Sequence, residues 1–254
     1  PAAAGECRAR LDGDEWVING QKSSWVSNGT IATHALLFLT IDPSMGMAGG
    51  GVAVVPLDRP GVTKGKPLDK LGQRALNQGE IFFDDVRIPK HYMLVPTEAY
   101  PFIIESVLAG ANAGMGAIFT GVARAAFEEA LSYTRGRIQG GVAICEHQAV
   151  QLKLMDMFIR VEAARQLSRA AMAYNSQTVP PALQYSVASK VFCTQAAFTV
   201  SSDAVQLHGG MGLAKGALVE KLLRDARASM IEDGTNEVLS LGAARRVIDS
   251  YNCG

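Results

Sequence analysis

The hydrophobic period of this chain changes once, close to Pro96 and Pro101, and that change limits the folds open to it. From residue 15 to about 95, short apolar runs alternate with turn residues. Trp16-Val17-Ile18 and Ser24-Trp25-Val26 flank Asn19-Gly20, a dipeptide that supplies the positive φ angles of a tight hairpin. Ala35 to Ile41, Val52 to Val55 and Glu80 to Phe83 read as further strands, separated by segments such as Asp58-Arg59-Pro60-Gly61. Beyond the prolines, Val150, Leu154, Met157, Val161, Ala164, Leu167, Ala171 and Tyr174 recur every three or four residues, the spacing of one long amphipathic helix. Ile118 to about Tyr133 and Leu183 to about Leu207 share that spacing, and Pro180-Pro181 parts the second helix from the third. The prediction is an α+β chain. A small β-sheet or barrel-like domain occupies residues 1–97, and an antiparallel four-helix-bundle domain occupies 98–254.

Composition removes several classes of function. The 254 residues are 48% hydrophobic, enough for a sizeable core, and 24 basic residues cancel 24 acidic ones. With no net field and no dense Lys/Arg cluster, nucleic acid is not an expected partner. Cys7, Cys145, Cys193 and Cys253 are scattered, with no CxxC pair and no His at ligand spacing, so neither a metal site nor a disulfide framework is expected. A reducing compartment follows: cytoplasmic, or the mitochondrial matrix in a eukaryote. Apolar runs such as Ala35-Leu36-Leu37-Phe38-Leu39 are far shorter than the roughly 20 residues a bilayer requires, so no integral membrane contact is expected. The start, Pro1-Ala2-Ala3-Ala4-Gly5-Glu6, has no signal-peptide order and reads as an interior start.

Chemistry concentrates toward the C-terminus. Gly209-Gly210-Met211-Gly212 follows Gln206-Leu207-His208, either as a helix cap with a tight turn or as backbone that approaches a phosphate or flat ring closely. Glu232-Asp233-Gly234-Thr235-Asn236-Glu237 follows a charged helical segment, and Thr235 is placed to cap a last helix running to Tyr251. Taken alone, Asp233 is an acid at the positive end of that helix.

The segments in order resemble the acyl-CoA dehydrogenase family over essentially the whole chain. They are Asn19-Gly20-Gln21-Lys22 with Trp25-Val26-Ser27-Asn28-Gly29, Lys70-Leu71-Gly72-Gln73-Arg74, and Phe83-Asp84-Asp85-Val86-Arg87-Ile88-Pro89. In the helical half they are Arg137, Glu146-His147-Gln148-Ala149, Gln206 to Gly210, and Leu223-Arg224-Asp225-Ala226 through Glu237.

The resemblance implies FAD held by the β and helical domains, and a homo-oligomer built as a dimer of dimers. It implies α,β-dehydrogenation of an acyl-CoA to a trans-2-enoyl-CoA in fatty or other carboxylic acid degradation. A carboxylate removes the α-proton, the β-hydrogen leaves as hydride to flavin N5, and electron-transferring flavoprotein accepts the electrons. By position, Asp233 is the base, with Glu232 the second choice. Trp25, Val26 and Ser27 meet the flavin ring, or else form a shielded strand end. Arg137 reaches the FAD pyrophosphate of the neighbouring subunit, or is a solvated surface residue. Gln206, Gly209 and Gly210 belong against the adenosine and pyrophosphate part across the dimer, with Gln148 near the same end. Thr235 and Glu237 touch the cofactor beyond the base, although Glu237 equally fits a first-turn acid. Gly234, Ala109 and Asn112 stand at substrate positions.

Three departures bear on activity. The family's usual Glu is Asp233 here, one methylene shorter. Ala109 and Asn112 stand where the family carries an acidic residue and an Arg, which predicts a wider pocket and an unusual acyl group, cyclic or branched. The family's helical N-terminal domain is missing from this sequence, so a longer polypeptide or a second subunit, identical or related, is expected to complete the site. Two alternatives remain open: a non-catalytic subunit or scaffold that keeps the fold, and a flavin oxidase or monooxygenase.

Overall fold

The computed structural model describes residues 7–179 and 181–251; Pro1, Gly5, Pro180 and Cys253, used in the sequence reading, lie outside them. The chain divides into a β unit that runs to Glu105 and a helical unit that begins at Ser106, with Leu71–Gln73 belonging to the helical unit.

In the β unit, β1 (Arg8–Asp12), β2 (Glu15–Ser27), β3 (His34–Thr40), β4 (Gly50–Pro56), β5 (Val62–Lys64), β6 (Gln78–Pro89) and β7 (Met93–Val95) form one sheet. Their order is β5-β6-β2-β1-β3-β4-β7. Only the β1–β3 pairing is parallel among those described.

The hairpin expected at Asn19-Gly20 is instead at Gly13-Asp14, where Asp12 pairs with Glu15 and Gly13 takes a φ of 62°. Asn19-Gly20 lies inside β2. Its positive φ, 114° at Gly20, serves a bulge: Ile18 pairs with Val86 but Gly20 pairs with Phe83, leaving an extra residue on β6. Asn19 closes the bulge, donating its amide to Asp85 Oδ1 and accepting from Asp85 N, each at 2.9 Å, while Asp85 adopts a φ of 48°. The bulge also resets the side-chain alternation. Gly79, Ile81 and Phe83 face the core before it, and Val86 and Ile88 after it, so β6 stays amphipathic along its length.

The helical unit carries α1 (Tyr100–Gly136, from Ser106 on), α2 (Gln148–Gln177), α3 (Leu183–His208), α4 (Leu218–Ser229) and α5 (Asn236–Ser250). A two-residue-strand hairpin, β8 (Ile138–Gln139) with β9 (Val142–Ala143), follows α1. Helix α1 starts well before the expected Ile118. Its stretch from Ala109 to Gly116 is built of small residues apart from Asn112 and Met115, which leaves little apolar periodicity to read but allows close helix approach. A Cβ at Gly116 would lie 2.3 Å from Ser189 Oγ on α3. Pro101 sits in the first turn, where its missing N–H costs nothing.

The core interleaves Met115, Phe119, Ala123 and Ala126 of α1 with Met157 and Val161 of α2, Ala197, Val200 and Ala204 of α3, and Val219 and Leu222 of α4. By length and apolar composition alone α1 is also long enough to cross a bilayer, since Glu105 is its only charge before Arg124. Gly, Ala and Asn interrupt the apolar run, so it does not stand out in the sequence. The Met115–Ala126 face is instead packed into the bundle core.

Candidate functional site

Helix α4 ends at Ser229, and the chain must turn before Asn236 opens α5. The turn is made by two consecutive residues in the left-handed region, Asp233 at φ 52° and Gly234 at φ 96°. A non-glycine residue held there stores strain that surrounding contacts must support. Those contacts are visible. Asn236 N donates to Met230 O at 3.0 Å, and the Thr235 hydroxyl caps α5 by accepting from Val238 N at 3.3 Å. From α3, Lys190 Nζ donates to Gly234 O and to Asn236 Oδ1, both at 2.8 Å, and Asn236 Nδ2 donates to Thr194 Oγ1 at 3.0 Å. Lys190 is fully buried. Burial pushes its pKa down, and the charges of Asp233, Glu232 and Glu237 oppose that shift.

The two candidate bases are held differently. Glu232 Oε1 accepts from Gln73 Nε2 at 2.6 Å. Asp233 is exposed and has no hydrogen bond or ion pair to another described residue, so its carboxylate oxygens are available. Glu237, in the first turn of α5, is likewise exposed.

Gln73 belongs to a strap, Leu71–Gln73, fastened along α4. Gln73 N donates to Asp225 Oδ1 at 2.5 Å and Arg224 donates to Leu71 O at 2.9 Å. Gly72 passes so near α4 that a Cβ would lie 2.2 Å from Arg224 O. Lys221 also donates to the largely buried Asp225, and Glu220 grips Arg224 at 2.6 and 2.9 Å and raises its pKa, chiefly through those bonds.

A second feature gathers four of the expected cofactor residues. Arg137, Gln206, Gly209 and Gly210 line one open cleft of about 430 Å³, together with Tyr133, Gln139 and His208. Helix α3 is stopped by Gly209, at φ 59°, whose N–H returns to Gln206 O. The Tyr133 and His208 rings stack at 4.1 Å and His208 Nδ1 is bonded to Ala204 O at 2.8 Å, which fixes one wall. The dipole of α3 points its negative end here and does not itself favour an anion. Arg137 supplies the positive charge, and its guanidinium has no carboxylate partner among the described residues. Gln148 opens α2, outside the cleft lining, although His147 beside it reaches Gln139 O at 3.0 Å.

The other expected residues lie elsewhere. In the β unit, Trp25 is 61% exposed on a second irregularity of β2, where pairing with β6 jumps from Lys22–Ile81 to Val26–Gly79. Val26 is half-buried there and Ser27 is exposed. In the helical unit Ala109 and Asn112 are fully buried. Asn112 donates to Leu108 O at 2.8 Å, and Asn175 of α2 donates to Ala109 O at 3.1 Å and to Ser186 Oγ at 2.9 Å. No cluster of three or more metal-type ligands occurs among the described residues.

Lys190 and Thr194 were not singled out from sequence, and the Lys70–Arg74 segment and Asn236, quoted for the resemblance, were given no role there. A signal for Lys190 existed: Ser186, Ser189, Lys190, Cys193, Thr194 and Ala197 are one buried stripe of α3, at helical spacing and unusually polar.

Comparison with known proteins matches this architecture. The acyl-CoA dehydrogenase middle-domain profile matches residues 2–86, and the acyl-CoA dehydrogenase C-terminal-domain profile matches residues 102–248. The mitochondrial short-chain specific acyl-CoA dehydrogenase of Bos taurus is 35% identical over 252 residues, covering 98% of this chain and 60% of the bovine protein. The structure of butyryl-CoA dehydrogenase from Megasphaera elsdenii superposes with a TM-score of 0.89 at 31% identity, covering 95% of this chain and 63% of that one. The prolyl acyl carrier protein oxidase AnaB superposes at 0.90 with 27% identity, covering 96% of this chain and 65% of that one. The chain thus spans less than two thirds of the length of these relatives. With both family profiles matched in order across a β unit and a helical unit, the chain belongs to the acyl-CoA dehydrogenase family.

Proposed function

We propose that the protein to which this chain belongs is an FAD-dependent acyl-CoA dehydrogenase, with Asp233 as its base. The observation that carries this reading is the contrast at the α4–α5 turn: Glu232 is engaged by Gln73, whereas Asp233 stands exposed on a left-handed residue with no hydrogen-bond partner among the described residues. A general base must offer a lone pair to the proton it takes, and Asp233 does so. Asp233 removes the α-proton of the thioester. Its side chain is one methylene shorter than the family's usual Glu, and the left-handed backbone sets the direction in which the shorter carboxylate is presented. Gly234 beside it contacts the substrate.

The cleft fits a diphosphate. It pairs an Arg137 guanidinium that has no carboxylate partner among the described residues with exposed backbone at Gly209 and Gly210. Arg137, Gln206, Gly209 and Gly210 would hold the pyrophosphate and adenosine portion of a neighbouring subunit's FAD, with Gln148 near the same end, while Thr235 and Glu237 would touch the cofactor beyond the base. In the β unit, Trp25, Val26 and Ser27 would meet the flavin ring. When bound, FAD supplies the acceptor for the β-hydride, so proton and hydride leave as the carbon–carbon double bond forms. A homo-oligomer, or a hetero-oligomer with a related subunit, and an electron-transferring flavoprotein as acceptor complete the proposal.

The test is anaerobic addition of an acyl-CoA panel, straight-chain, branched and cyclic, to the yellow protein. Bleaching of the flavin by a thioester is the expected result. A flavin that no thioester bleaches refutes dehydrogenation and leaves the scaffold reading. The oxidase relative supplies a second reading, and hydrogen peroxide released in air without another acceptor distinguishes it.

A further inference from the structure

We propose that Lys190 is the positioning residue of the catalytic turn: its buried ammonium clamps the Gly234 carbonyl and the Asn236 side chain, and so fixes where Asp233 points. The inference rests on the assignment of Asp233 as the base and extends it to a residue on a different helix.

The geometry carries the argument. Lys190 lies on the buried stripe of α3, with no exposed surface, yet it is the longest and most solvent-loving side chain in that stripe. Enclosing an ammonium is unfavourable unless its N–H groups are satisfied. Here two of them are, by acceptors that flank the strained residues: Gly234 O directly after Asp233, and Asn236 Oδ1 at the first residue of α5. Asn236 is held from its other end by Thr194, one turn further along α3, so α3 grips the turn at two levels. Without these bonds nothing else among the described contacts fixes the Gly234 carbonyl, and a left-handed non-glycine residue persists only where its surroundings hold it. Rotating that peptide moves the Asp233 carboxylate, and misplacing a reacting group by about 1 Å costs on the order of 100-fold in rate.

The charged groups facing Lys190 are Asp233, Glu232 and Glu237. A packing role would need only the aliphatic stem. A clamp needs the ammonium. Lys190→Met keeps the stem and removes the donors, so it separates the two.

The experiment uses the full chain reconstituted with FAD and a redox-inactive thioester in which sulfur replaces the β-carbon. Removal of its α-proton gives a long-wavelength charge-transfer band with oxidised flavin, so the probe reads the base alone. In the parent protein the band forms; if it does not, the assignment of Asp233 fails, and the clamp loses its purpose with it. In Lys190→Met, the band is expected to form on the order of 100-fold more slowly while thioester affinity stays within about 3-fold. Amide hydrogen exchange at residues 233–236 is expected to accelerate at least about 10-fold, a readout independent of chemistry. Thr194→Val, nearly isosteric, should shift both measures in the same direction by about 5-fold, and it serves if Lys190→Met does not fold. Unchanged exchange at 233–236, or a parental rate of band formation in either folded variant, overturns the proposal.

Discussion

Gly72→Ala tests the strap that holds the second carboxylate in place. The new Cβ would stand 2.2 Å from Arg224 O and 2.4 Å from its carbonyl carbon, backbone atoms inside α4 that no rotamer change can move aside. Ordinary contact begins near 3.4 Å, so the strap must retreat by about 1.2 Å. That displacement takes the Gln73 N–Asp225 bond, now 2.5 Å, and the Gln73 Nε2–Glu232 bond, now 2.6 Å, beyond hydrogen-bonding range. Each joins a neutral donor to a carboxylate, a class with a net contribution of roughly 1.5–3 kcal/mol. Because Glu232 can turn to water, the sum is discounted to a loss of about 3 kcal/mol. With an m-value of about 3 kcal/mol/M for a chain of this size, the urea midpoint of the helical signal should fall by about 1 M with little change in slope. Gly121→Ala is the control: a Cβ there meets nothing within 4 Å, and the change within a helix should stabilise by about 0.5–1 kcal/mol. A Gly72→Ala midpoint within about 0.2 M of the parent would refute the packing argument.

Two further outcomes follow from the site and the sheet. Arg137→Ala should weaken FAD binding by roughly 10- to 100-fold, the loss of one charge-assisted contact, with Arg137→Lys between; fluorescence titration of the apoprotein decides, and an unchanged Kd removes Arg137 from the cofactor site. Burial raises the Cys7 thiol from 9.0 to about 11, against a smaller lowering by Lys22. The unfolded chain sheds this proton from about pH 9 and the folded chain only near 11. The stability it confers is therefore complete below pH 9 and lost as pH rises through that window, by up to about 3 kcal/mol. Cys7→Ala should flatten the decline seen in denaturation midpoints measured from pH 8.5 to about 11, and an unaltered slope would contradict it.

How much was legible in advance depended on the range of the interactions. The α2 pattern from Val150 to Tyr174, the Leu183 start of α3 and the Thr235 cap are local signals, and each appears in the structure to within three residues. Asn19-Gly20 carried a correct local signal, positive φ, in the wrong context, because the partner that makes it a bulge, Asp85, is 66 residues away. The start of α1 was missed because small residues pack by close approach rather than by apolar bulk, as Gly116 does against Ser189. At the site, the turn at Asp233 was readable as a loop before a capped helix. Its supports were not: the Gln73–Asp225 bond spans 152 residues and the Lys190–Gly234 bond spans 44. A buried lysine in a sequence looks like any surface lysine until the stripe it shares with Ser186, Cys193 and Ala197 is traced around the helix.

The central claim is that Asp233, and not its neighbour Glu232, is the base. The direct measurement is the anaerobic rate of flavin bleaching by a good thioester substrate in Asp233→Asn and Glu232→Gln, beside flavin content and thioester affinity. Asp233→Asn should bind both molecules normally and bleach at least about 10³-fold more slowly, within the range lost with a general base, while Glu232→Gln should remain within about 10-fold of the parent. Parental bleaching in Asp233→Asn, or the larger loss in Glu232→Gln, would contradict the account.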